Sequence, residues 1–80
     1  MTKPERYRNL SGDSGVTYYA IGPDFIAVQF DDPTVYFYDH TRPGPAHVEQ
    51  MKTLAVGGRG LGTYINRHVR KAFARKQGSW

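Results

Sequence analysis

Val16-Thr-Tyr-Tyr-Ala-Ile21, then Gly22-Pro-Asp24, Phe25-Ile-Ala-Val-Gln-Phe30, Asp31-Asp-Pro33 and Thr34-Val-Tyr-Phe-Tyr38 form the stretch that decides the fold. Its three runs are rich in the β-branched and aromatic residues that favour strands. The interruptions between them supply the Gly, Pro and Asp that tight turns require. Ile26, Val28 and Phe30 share one face at a period of two. Strands joined by turns this short can only pair as antiparallel neighbours, so a three-stranded meander is expected.

Downstream, Asp39 to Pro45 is a connection with two prolines and a glycine. From Ala46 to Val56 the spacing of Val48, Met51, Leu54 and Ala55 predicts a helix with one buried stripe, stopped by Gly57-Gly-Arg-Gly60. A second helix is predicted from about Gly62 to Arg75, with Leu61, Ile65, Val69, Ala72 and Phe73 in one sector and Arg67, Arg70 and Lys71 opposite. Upstream, residues 1–14 read as a flexible or extended lead-in in which only Tyr7 and Leu10 are apolar anchors. The expected fold class is α+β: a three-stranded antiparallel meander followed by two helices packed on one face, βββαα. One domain spans residues 15–76, and 77–80 form a short tail.

Eighty residues suffice for one core. The chain has no cysteine, which removes disulfides, thiolate chemistry and Cys-containing zinc sites. It shows no signal-peptide pattern and no run approaching the roughly 20 apolar residues of a membrane span, so a cytoplasmic protein is expected. The net charge of +4 is unevenly placed. Ser11 to Val56 hold six acids and two bases, whereas Gly57 to Trp80 hold six bases and no acid. A purely basic last third is predisposed to meet an anion: nucleic acid, nucleotide, acidic protein or membrane surface. Solubility alone is the plainer use of such charge.

The chain resembles the KTSC domain, a short domain found at the C-terminus of some lysyl-tRNA synthetases and as small stand-alone proteins, including phage ones. The resemblance lies in the order of four features over residues 13–73. These are the entry Asp13-Ser-Gly-Val16, the strand pair Tyr19–Ile21 with Ile26–Phe30, the Tyr36-Phe-Tyr38 motif, and the close Gly62-Thr-Tyr-Ile-Asn-Arg-His-Val-Arg70. The connection after Tyr38 is longer and richer in proline than the family pattern, and Phe37 stands where the family tends to be polar. Membership implies a small bacterial or phage domain for which RNA binding has been suggested.

Three features are candidates for function. On the sheet face away from the helices, Tyr18, Phe25 and Phe37 are expected to make an aromatic surface of the kind that stacks unpaired bases. A homo-oligomer interface through that open face, or closure by the N-terminal segment, would bury the same residues. The loop Gly57–Gly62 leads into a helix and carries Arg59, which could clamp a phosphate. It follows a helix rather than a strand, so a plain helix–helix turn is the better reading. Third, Arg67, Arg70, Lys71 and Arg75, with Lys76 beyond, form an acid-free basic face suited to phosphate contacts or simply to solvent.

His40, His47 and His68 lack metal-ligand spacing, and His68 at the border of the apolar stripe reads as packed and hydrogen-bonded. No serine sits in a nucleophile-elbow setting, and Asp31-Asp32 fit a turn better than an acid–base pair. No catalytic residue, cofactor or metal is expected. The expectation is a non-catalytic module that binds RNA, single-stranded DNA or a nucleotide through its basic helix and Gly/Arg loop. The alternative is a protein-interaction or inhibitor module, including an oligomer that sequesters a signalling nucleotide.

Overall fold

The structure, a computed structural model, describes residues 3–10, 12 and 14–80. Met1, Thr2, Ser11 and Asp13, which fall in the expected lead-in and, for Asp13, in the entry motif, lie outside the described residues. A five-stranded antiparallel sheet runs in chain order: β1 (Glu5–Arg6), β2 (Val16–Ile21), β3 (Phe25–Phe30), β4 (Val35–Asp39) and β5 (Arg75–Gln77). Helix α1 (Pro45–Gly57) and a short α2 (Leu61–Tyr64) lie between β4 and β5, and α2 continues as a π-helical turn over Ile65–Val69.

The expected meander is β2–β3–β4. Its register sets Ile21 opposite Ile26 and Ile26 opposite Tyr38, and likewise Tyr19 opposite Val28 and Val28 opposite Tyr36. Residues directly opposite share a face, so these two cross-strand rows stand on one side of the sheet. Val48, Met51 and Ala55 of α1 pack on that side together with Leu61, Ile65 and Val69. A β-bulge between Val16 and Tyr18 adds one residue to β2. It lets both Val16 and Tyr19 enter the core while Tyr18 turns to the other face. Helix α1 stops at Gly58, whose φ of 75° is left-handed and whose N–H donates to the Leu54 and Ala55 carbonyls. An added Cβ there would sit 2.9 Å from Arg8 Cβ, so glycine answers both demands.

Two expectations are corrected. The sheet has five strands rather than three, because each edge of the meander recruits a short polar segment. Glu5–Arg6 pairs with β2, and Arg75–Gln77 pairs with β4. The second helix does not reach Arg75: its π-helical segment ends at Val69, and the chain turns back so that the Ala74 N–H donates to the Phe37 carbonyl at 2.7 Å. The open backbone edge of β4 takes the segment that apolar periodicity had assigned to the helix. Ala72 and Phe73 still pack on the core, from a return loop.

The N-terminal segment is fastened on the helix side. Tyr7 is 2% exposed, and its hydroxyl oxygen accepts the buried Leu61 N–H at 3.2 Å. That donor opens α2, where no intrahelical partner exists. Asn9 exchanges hydrogen bonds with the backbone of Ser14. Tyr7→Phe strands a buried N–H, so it is expected to cost about 1–3 kcal/mol, read as a lower urea midpoint at unchanged m-value. An unchanged midpoint would mean that water reaches Leu61 N.

Candidate functional site

The returning chain creates a cleft. Arg70 and Lys71, in the turn after the π-helical segment, and Lys76 on β5 line a hollow of about 450 Å³. Its floor is aromatic. Phe30 and Tyr36 meet edge to face at 5.5 Å between ring centroids, and Tyr36 meets Phe73 at 5.0 Å. Tyr38 lies deeper, and burial, with Tyr36 adding to it, holds its hydroxyl well above the ordinary phenol range. It is therefore a neutral hydrogen-bonding group at physiological pH. Asp31 and Asp32, from the β3–β4 turn, border the same hollow. The Asp32 carboxylate accepts the Thr34 N–H at 2.8 Å, which is turn chemistry as expected for it. An anion is favoured at the Arg70–Lys71–Lys76 rim, and a hydrogen-bond donor at the aspartate rim.

This arrangement regroups the expected site residues. Arg70 and Lys71 come together as anticipated, but on a turn rather than on a helix face. Arg67 is exposed on the π-helical turn and does not line the cleft. Arg75 is corrected from helix to strand: it sits on β5 with its guanidinium 4.0 Å from the Phe37 ring centroid. Adjacent strand residues point to opposite faces, so Arg75 stands on the sheet face away from the helices while Lys76 stands over the cleft. Lys76, expected beyond Arg75 on a basic helix face, lines the cleft in its place beside Arg70 and Lys71. Its signal was the strand alternation of 75–77, too short to be read.

Arg59 is exposed on the α1–α2 turn, outside the cleft lining. Three backbone N–H groups of that turn are engaged: Gly58 and Arg59 donate to α1 carbonyls and Leu61 to the Tyr7 hydroxyl. The Gly57–Gly62 segment is a helix–helix turn.

The aromatic sheet face is only partly open. Phe25 and Phe37 pack 6.4 Å apart, half-buried, over Ala20, Ala27 and Val35, and Arg75 covers Phe37. Ala27 and Val35 have no exposure in the single chain. The Trp80 indole N–H donates to Gln29 Oε1 at 2.9 Å, drawing the C-terminus against the sheet. Tyr18 remains 39% exposed. Stacking on Phe37 would require Arg75 to move, whereas Tyr18 needs no rearrangement.

His47 and His40 are hydrogen-bonded, whereas His68, expected to be packed and hydrogen-bonded, is exposed and among the described residues makes only ring contacts. His47 Nδ1 and the Tyr64 hydroxyl are 2.7 Å apart, His68 packs on the Tyr64 ring, and His40 bonds Glu49. That bond, with a second from Lys52, holds the Glu49 carboxyl below its usual range. Among the described residues no group of three or more His, Cys, Asp or Glu is placed to hold a metal ion. No helix among them is long and apolar enough to cross a membrane.

Fold and cleft together define a small α+β domain with a basic, aromatic-floored groove between its sheet and the return from its second helix. No protein-family model, curated protein or solved structure matches the chain.

Proposed function

We propose that this domain is a non-catalytic module that binds nucleic acid or a nucleotide in the Arg70–Lys71–Lys76 cleft. One observation carries the reading: three cations from two separate segments converge on a hollow of about 450 Å³ whose floor is Phe30, Tyr36 and Phe73. Hollows of this size suit small organic ligands. A basic rim beside aromatic rings is the combination used for single-stranded nucleic acid, with the backbone on the cations and a base against the rings. The two aspartates that border the same hollow suit the exocyclic amines of a base, not its phosphate. The ordered motifs that resemble the KTSC domain agree with a binding role in which RNA is the favoured polymer.

The test is salt-dependent binding of a labelled single-stranded RNA, followed by fluorescence anisotropy. Three phosphate contacts predict a slope of log K against log salt near −2, so affinity falls about 15-fold from 50 to 200 mM salt. The absence of salt-sensitive binding to RNA, single-stranded DNA or nucleotides would overturn the reading.

A protein-interaction reading has its own support. Leu10 and Val56 are more than half exposed, and the bonds Leu10 N–H to Gly58 O and Arg8 Nη2 to Val56 O bring their segments to one corner. Salt-insensitive association, weakened by Leu10→Ser or Val56→Ser, would favour it.

A further inference from the structure

The basic cleft continues into two more hollows. A second one, of about 300 Å³, lies between Ser14 and the Gly60–Thr63 segment and shares Phe30 and Asn66 with the first. A third, of about 430 Å³, shares Ser14 and Gly15 with the second and is lined by Arg6, Arg8 and Tyr18. Charge is distributed along the series in a definite way. Arg70, Lys71 and Lys76 stand at one end, Arg6 and Arg8 at the other, and among the described residues the middle hollow has no charged side chain. Asp31 borders both end hollows but not the middle one, whose polar lining among the described residues includes the hydroxyls and amide of Ser14, Thr63 and Asn66.

A lone nucleotide concentrates its charge at one place and fills one hollow. A strand spreads phosphates along its length and meets cations at both ends. We propose, building on the nucleic-acid reading above, that the ligand is a single strand several nucleotides long. It runs from the Arg70–Lys71–Lys76 cleft past Asn66 to Arg6 and Arg8, and a base stacks on Tyr18. Arg6 faces Tyr18 across the β1–β2 ladder, so cation and ring stand side by side. The Arg6 guanidinium bonds to none of the described residues, and that of Arg8 gives one bond, from Nη2 to the Val56 carbonyl. Both keep donors for phosphate. The segment expected to be a lead-in thereby becomes half of the binding track, and Tyr18 works at an edge of the sheet rather than in a broad aromatic face.

The experiment compares hexauridylate, with five phosphates, and tetrauridylate, with three, at 50 and 200 mM salt, on the intact chain and on Arg6→Ala and Arg6→Ala/Arg8→Ala variants. With two further phosphate contacts, the salt slope for the hexamer should be steeper than that for the tetramer by about 1.4. The double variant should erase the hexamer's advantage. Arg6→Ala alone breaks no side-chain hydrogen bond among the described residues and should lower the hexamer slope by about 0.7, which keeps the test valid if loss of the Arg8 bond unfolds the double variant. Equal affinity and slope for the two lengths would overturn the extended track while leaving a one-hollow nucleotide site standing. Failure of both ligands to bind would overturn the track together with the reading beneath it.

Discussion

Reversing Arg70, Lys71 and Lys76 to glutamate is expected to weaken single-stranded RNA binding by about a hundredfold or more at 50 mM salt, because the phosphate contacts supply most of a sequence-tolerant affinity. The fold should tolerate the change. All three residues are exposed, and the bond that Arg42 Nη2 donates to the Lys71 carbonyl does not involve the Lys71 side chain. Surface substitutions of this kind usually stay within about 0.5 kcal/mol each. Arg59→Glu is the matched comparison: it changes the net charge in the same direction from outside the cleft. It should cost only the screened long-range attraction, a few-fold at most, since exposed charges beyond roughly 10 Å are largely screened at 0.1 M salt. Comparable losses per charge from Arg59→Glu and from the cleft reversals would show that binding follows overall charge and not this hollow.

The largest expected effect on stability comes from Leu61→Ala. Leu61 is fully buried, is the one buried residue of α2, and joins the core formed by Ile26, Val28, Tyr38 and Met51. Leucine-to-alanine changes at such positions cost about 2–5 kcal/mol through lost transfer energy and the cavity left behind. A domain of this length commands roughly 4–12 kcal/mol in all. The midpoint of thermal unfolding should drop by roughly 10 to 30 °C. A drop below about 5 °C would mean that α2 is not seated on the sheet, and the Arg70–Lys71 turn that follows it would lose its defined place.

Some of this architecture is legible in the chain and some is not, for identifiable reasons. β2, β3 and β4 announce themselves because strand-forming residues repeat between turns of Gly, Pro and Asp. The alternation of Ile26, Val28 and Phe30 correctly names the face that the helices cover. Helix α1 is legible from Val48, Met51 and Ala55 and from the glycines that stop it. Neither edge strand is. Glu5–Arg6 and Arg75–Gln77 are polar and only two and three residues long, with no periodicity to read. They become strands because the meander offers unpaired backbone at its edges. The end of the second helix is hidden for the same reason. Ala72 and Phe73 satisfy a helical stripe equally well when they pack from a return loop, and only the competition from β4 decides.

The candidate site shows the same division. The amino-acid order alone determined that the last third of the chain is an acid-free run of cations and that aromatic residues crowd the central strands. Which cations meet which rings is a tertiary matter. Pairing of β5 with β4 sends Lys76 to the aromatic cleft and Arg75 to Phe37 on the opposite face, separating neighbours in sequence by the thickness of a sheet. Local preferences are short-range and reveal strands, turns and helices wherever neighbouring residues agree. A site assembled from the β3–β4 turn, the end of a helix and the last strand depends on hydrogen bonds between distant segments, and those exist only once the meander has formed and its edges need partners.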